Sequence, residues 1–405
     1  MSGSVRWLCL AWTFASLADW FVLWVVVWSA ELQSWSGLQT AGIIMAARAP
    51  ALVGGIVGGL AIDRYGPRRM MLVDGASRLL TMLGLTLLGV LGGFGYAGAV
   101  VLVCLAGATA PISYSAVRTF LPRLVAADDL GRANTLLTIG NALPLVLSAG
   151  VVGPTLHLFG LGPSFLVPAA LMGGVLLITL WLPTTTPVAP LRAAGGASVL
   201  DENLAPLGGR ELRRWRRLRV PAGALALLGL STTYYFTFGP VEPVLPLVVR
   251  EHLDAGVNTY SLLWSVVGIG ALLGLVLAPP LCRLPRPGAV NAVIAALNGV
   301  AMVPLALTDS LGVAVLACLG IGLLWTPYSA VEATALQRLT PARHHGKLFG
   351  IQRALVISAL PVGAAAGAFA LDRTSPAVVL LGSAVACIGF ALLALAVPAL
   401  RARVG

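Results

Sequence analysis

Twelve apolar runs fill most of this chain, each near the ~20 residues that an α-helix needs to cross a hydrocarbon core of roughly 30 Å. They cover about 7–30, 37–61, 70–91, 97–120, 133–158, 162–182, 220–239, 259–281, 288–307, 311–335, 347–370 and 376–399, and charge clusters with Gly/Pro punctuation separate them. Only 10% of the 405 residues are charged and 58% are hydrophobic, with a mean hydropathy of +0.92. A soluble globular chain carries roughly a quarter charged residues. The expected fold class is therefore an all-α membrane protein with twelve transmembrane helices.

The net charge of +11 would suit a nucleic-acid binder, but its distribution follows topology. With the loops alternating between sides and the N-terminus inside, Arg250 and Arg373 alone among the 26 Lys and Arg fall outside. Arg48, Arg78, Arg118 and Arg353 lie within spans, and all others fall inside. This is the positive-inside bias. It predicts a multi-pass protein of the plasma membrane, the inner membrane of a bacterial cell, with both termini cytoplasmic, the lipid bilayer as its surroundings and no nucleic-acid partner. Cys9, Cys104, Cys282, Cys318 and Cys387 sit in spans or at a cytoplasmic helix end and read as free thiols. The first span, long and containing Asp19, reads as a retained helix and not as a signal peptide.

The long polar segment 183–219 holds Pro, Gly and Thr first and six arginines between Arg210 and Arg219. It predicts a flexible linker ending in a basic stretch on anionic headgroups. The division is thus 1–182, a six-helix bundle; 183–219, a cytoplasmic basic linker; and 220–405, a second six-helix bundle. The halves echo each other at a nearly constant offset: Gly59 aligns with Gly274, Gly131 with Gly346, and the YSAV at Tyr114–Val117 with the YSAV at Tyr328–Val331. Transporters built from two repeated six-helix halves show such symmetry. Arg118 follows the first YSAV and Glu332 the second, so the copies have diverged into opposite charges.

Between the second and third spans, GGLAIDRYGPRRM reads as a tight cytoplasmic turn made by Gly66-Pro67, with Gly59 allowing close helix approach. The stretch resembles the signature loop of the major facilitator superfamily, G-x-x-x-D-R-x-G-R-R. Gly59, Asp63, Arg64, Gly66, Arg68 and Arg69 are in place, and Pro67 stands where that family often has Arg. In the fifth span, Gly150, Gly153 and Pro154 of SAGVVGPTL match the G-x-x-x-G-P of drug/proton antiporters, without the usual trailing Gly-Gly; a small-residue packing face explains the same residues. Phe120–Asn134 resembles the fourth-to-fifth helix connection of macrolide-efflux and siderophore-export permeases. In the second half the corresponding loop, GLVLAPPLCRLPRPG, has no acidic residue.

An ionisable side chain within the membrane costs several kcal/mol unless it is paired or hydrated. Counting along the spans puts Asp19 and Arg48 near the midplane on neighbouring helices, where they are placed to pair. Such a pair either couples proton movement to conformation, with Asp19 as carrier and Arg48 as modulator, or fixes helix packing, or contacts substrate. Asp74 and Arg78, four residues apart on one helix face, join Arg118, Glu332 and Arg353 as inner-gate charges or structural salt bridges. Glu242 reads as a loop carboxylate at the outer end of the seventh span, with an outer gate or proton access as the alternative.

The family resemblance implies a central cavity lined by the first, fourth, seventh and tenth helices. Trp12, Phe14, Tyr234, Tyr235, Phe236, Trp325 and Tyr328 lie on these, with Asn141 on the fifth; they suit a bulky, partly apolar ligand. No metal-ligand cluster, nucleotide loop or nucleophile with a base is present in the sequence, so neither a cofactor nor an enzymatic activity is expected. The resemblance implies a monomeric secondary transporter that exchanges protons for an amphipathic small molecule: an antibiotic, natural product or siderophore. Import of a small solute, lipid or lysolipid flipping, and a non-transporting sensor are the alternatives.

Overall fold

A computed structural model describes residues 3–92, 94–121, 124, 130–182, 221–340 and 345–401. The basic linker 183–219 and residues 122–123 and 125–129 of the stretch resembling the exporter connection lie outside the described residues, as do the side chains of Asp63, Arg118, Asn141 and Arg353 and the surroundings of Gly59.

All regular structure among the described residues is helical. The elements are α1 (Gly3–Leu32), α2 (Gly37–Arg48), α3 (Pro50–Tyr65), α4 (Pro67–Val90), α5 (Tyr96–Phe120), α6 (Leu130–Phe159), the single turn α7 (Leu161–Ser164), α8 (Leu166–Trp181), α9 (Ala222–Phe238) and α10 (Val241–Leu247). A π turn (Val248–His252) continues α10, and α11 (Val257–Cys282), α12 (Pro287–Leu307), α13 (Leu311–Leu339), α14 (His345–Leu371), α15 (Pro376–Ala396) and α16 (Pro398–Arg401) complete the chain. Nine helical segments among the described residues are long and apolar enough to cross a bilayer. The other three expected spans correspond to α2 with α3, to α6, and to α9.

The second span is not one helix, because Pro50 has no N–H to give the carbonyl one turn back and its ring crowds that carbonyl. Ala49 keeps helical angles (φ −62°, ψ −37°), so α3 follows α2 after a single residue. Ser36 opens α2 with a capping box: its hydroxyl accepts from the Gln39 amide at 3.3 Å and its own amide donates to the Gln39 side chain at 3.0 Å. Gly66 ends α3 at φ +85°, a backbone that side-chain-bearing residues rarely adopt, and Pro67 starts α4 at the one position where a missing N–H costs nothing.

By their inter-residue contacts the residues divide into two units. The first comprises Met1–Pro190, Val241–Gly268 and Ala364–Pro376; the second comprises Leu191–Pro240, Ile269–Gly363 and Ala377–Gly405. In the first unit, Val5, Leu8, Trp12 and Ala15 of α1 form one face of a core with Met71 of α4, Phe120 of α5, Leu137 of α6 and Val175 of α8. Further along, every residue from Phe21 to Trp28 is buried. A helix apolar and buried all round is a central one. α3 and α5 touch backbone to backbone: a Cβ on Gly54 would fall 1.8 Å from the Ala108 carbonyl oxygen, which is what small residues at helix crossings permit. In the second unit α12 packs on α13, with the Asn298 amide donating to the Ile321 carbonyl at 3.3 Å.

Candidate functional site

Asp74 and Arg78 lie one turn apart on α4 and are 1% and 0% exposed. The Arg78 guanidinium reaches α1, where Nη2 donates to Asp19 Oδ1 and, at 3.3 Å, to the Ala15 carbonyl. Its Nη1 stands 3.6 Å from Asp74 Oδ2, and that oxygen accepts from the Ser113 hydroxyl of α5. Two carboxylates thus share one guanidinium, and the cluster carries one negative charge in excess whenever both are ionised. It also has spare bonding capacity, since Asp74 Oδ1 and Arg78 Nε and Nη1 have no hydrogen-bond partner among the described residues. The Asp19 side chain is 44% exposed, although it follows Leu10 by nine residues and so points to the opposite side of α1 from the exposed Trp7 and Leu10. It lies on the face where Leu8, Trp12 and Ala15 are buried.

Asp19 therefore pairs with Arg78 and not, as its depth suggests, with Arg48. Residue counting gives depth along a helix but not the direction in which a side chain points. Arg48, the last residue of α2, binds Glu242 instead: Nη2 to Oε1 is 2.5 Å, and the Glu242 side chain is 3% exposed. The expectation of a loop carboxylate at Glu242 is corrected, because α9 stops at Phe238 and Glu242 enters the buried first turn of α10.

Other contacts of the first unit lie beside the α1–α2 turn. Arg250 of the π turn pairs with Glu31, and the Asp372 carboxylate accepts from the Gly37 and Leu38 amides at 2.6 and 3.2 Å, capping α2 where its free N–H groups attract an anion. Trp20, Trp24 and Trp28 recur every turn along α1; Trp24 stacks on Trp264 of α11 at 4.1 Å and Trp28 lies 5.1 Å from Tyr260. The sequence holds this ladder as an i, i+4, i+8 tryptophan repeat, which is the one signal of it before the fold is known.

In the signature loop, Arg68 caps the end of α8, donating from Nε to the Thr179 carbonyl at 3.1 Å and from Nη2 to the Leu180 carbonyl at 2.8 Å. Arg64 lies over the Tyr65 ring, 5.3 Å from its centroid, and Arg69 is exposed.

The antiporter-like motif faces α11. A Cβ on Gly153 would stand 2.7 Å from Ser261 Oγ and 2.8 to 2.9 Å from Asn258, and one on Gly150 3.4 Å from Ser265 Oγ. Beside Pro154, which interrupts the α6 ladder, a crevice of about 450 Å³ is lined by His157, Leu158, Asn258 and Ser261 among others. Gly153→Val is expected to destabilise the protein by about 1 to 3 kcal/mol through overpacking, while Gly150→Ala costs little; thermal melting of the two purified variants checks the contrast.

The expected cavity residues fall in both units. In the first, Trp12 donates its indole N–H to the Leu137 carbonyl at 3.2 Å and meets the Tyr114 ring at 5.4 Å, and Phe14 is half-buried against Gly174. In the second, Tyr234 stacks on Tyr328 at 3.9 Å, Tyr235 meets Trp325 edge-on at 5.6 Å, and the Tyr328 hydroxyl donates to Ser231 at 3.1 Å. Phe236 points away and is 39% exposed. Glu332, 1% exposed, accepts from the Gln352 amide at 3.2 Å.

Charge clusters buried among bilayer-length helices define a polytopic membrane protein. A sequence profile of the Major Facilitator Superfamily matches residues 8–356, and the chain belongs to that family of transporters; it is a transporter and not an enzyme. It is 28% identical over 391 residues to the uncharacterized MFS-type transporter y4rN of Sinorhizobium fredii, covering 93% of this chain and 90% of that one. It is 26% identical over 354 residues to the multidrug efflux pump Tap of Mycolicibacterium fortuitum, with 83% and 81% covered. The fold matches the auto-inhibited POT family peptide transporter (TM-score 0.76, 14% identity, 97% and 96% covered) and the nucleoside transporter NupG (0.73, 14%, 98% and 99%).

Proposed function

We propose that the protein is a proton-coupled exporter of an amphipathic small molecule, working by alternating access between two six-helix halves, with Asp19 as the proton carrier. The observation that carries this reading is the sharing of Arg78 by Asp19 and Asp74. An excess negative charge at depth is costly, and the accessible member of the pair is the one that a proton relieves. Protonated Asp19 no longer holds Arg78, whose Nη1 then closes the 3.6 Å gap to Asp74; loss of the proton reverses the move. The guanidinium thus has two positions, each tied to one protonation state, which is what coupling requires. The similarity to pumps named for multidrug efflux supports the direction and the substrate class, as does the G-x-x-x-G-P match of Gly150, Gly153 and Pro154.

The test is accumulation of a panel of unrelated labelled amphiphiles in an efflux-deficient bacterial host. Expression is expected to lower the cellular level of several of them, and a protonophore to restore it. Raised uptake of a solute on acidifying the medium would instead mark an importer, and movement of labelled lipid alone a flippase.

A further inference from the structure

We propose that Glu242 is a second proton-exchanging residue of transport: a proton arriving from the outer side displaces Arg48 from the Glu242 carboxylate and frees the end of α2 from α10. The O–H bond forms on the carboxylate as the ion pair breaks, and the guanidinium keeps its own charge. The inference rests on the proton-coupled reading above and on the positive-inside assignment of the α1–α2 turn to the outer face.

Glu242 is held by one cation. Oε1 accepts from Arg48 at 2.5 Å, while Oε2 has no hydrogen-bond partner among the described residues. The Arg48 side chain is 22% exposed and that of Glu242 3%. A carboxylate this buried does not stay ionised without a partner, so guanidinium and proton compete for the same group. Arg250, paired with Glu31, is 61% exposed, and exposed pairs contribute little; the start of α2 is held separately by Asp372, so the Arg48–Glu242 pair is the buried ionic link between α2 and α10.

The neighbourhood is also prepared for hydration. Trp24 Nε1 of α1 and Ser261 Oγ of α11 are buried without hydrogen-bond partners among the described residues. Buried donors of this kind are met when water enters. The groups facing Glu242 are Arg48 of α2 and Tyr260 of α11, which interacts with it electrostatically. α1 also packs on α10, and its stretch 20–30 carries no charge. His252 lies on the π turn that continues α10, and it is the nearby imidazole for which a pH experiment must control.

The test needs no substrate. Pyrene labels on Gln33→Cys and Glu251→Cys, in a chain with its native cysteines replaced and reconstituted in liposomes, report the separation of the α1–α2 turn from the π turn. The parent is expected to lose excimer emission reversibly, by about threefold or more, between about pH 8 and about pH 5. Glu242→Gln should show low excimer emission at both, Glu242→Asp should keep the response, and His252→Gln should keep it too. A pH-insensitive parent, or a Glu242→Gln variant that responds as the parent does, overturns the proposal. Should Glu242→Gln not fold, Arg48→Gln carries the same expectation of low excimer emission at high pH, and a parental response there overturns it equally. The outcome is independent of Asp19: proton-driven transport surviving in Asp19→Asn would remove the carrier reading while leaving this response in place.

Discussion

Arg78→Leu should be the most destabilising single substitution of a charge in this protein. Arg78 is 0% exposed and is the cation for both Asp19 and Asp74. Removing one partner of a buried ionic cluster costs about 3 to 5 kcal/mol, because the charge left behind is uncompensated. The loss should appear as a fall of roughly 10 °C in the thermal midpoint of the purified protein. Asp74→Asn alone should cost far less, since the amide still accepts from Ser113 and Arg78 keeps Asp19. In the double variant Asp74→Asn, Arg78→Leu more than half of the loss should return, because the deeper of the two stranded charges is gone. A double variant no more stable than Arg78→Leu would mean that shape, and not charge, is what Arg78 supplies.

Asp19→Asn should fold normally and transport poorly. The carboxamide, like the protonated carboxyl, leaves Arg78 to Asp74, and the substitution removes the excess negative charge, so the thermal midpoint should hold or rise. Proton-driven efflux should fall by about two orders of magnitude or more, the scale lost when a proton-transferring group is removed. Exchange of labelled for unlabelled substrate across the membrane, which needs no net proton movement, should survive, because the carboxamide mimics the protonated carboxyl alone. Equal loss of both activities would point to a binding or packing role. Carriage of protons at Asp19 would then be wrong even though the Asp19–Arg78 contact is right.

The fold is legible in the sequence because a bilayer leaves few solutions: length and hydropathy mark the spans. The local breaks are legible only in part. Gly66-Pro67 reads as a turn, but Pro50 within a long apolar run does not reveal that α2 and α3 are separate helices. The site is less accessible still. Depth counting puts Asp19 and Arg48 together, yet helices apolar on most sides, such as α1 from Phe21 to Trp28, give no periodic signal for the direction of any one side chain. The i, i+4 spacing of Asp74 and Arg78 is visible, and so is the tryptophan repeat, but the partners of each lie on helices distant in sequence. Glu242 is hidden because GPVEPVLP looks like a loop, and only the resumption of helix at Val241 buries it.

Protonation of Asp19 itself can be watched by an infrared pH titration of the reconstituted protein, following the C=O band of protonated carboxyl groups. In the parent protein this band should grow on acidification. It should be reduced in Asp19→Asn by the share of one carboxyl group. An Asp19→Asn spectrum that titrates as the parent does would end the carrier role, because Asp19 would then bind no proton and could drive nothing.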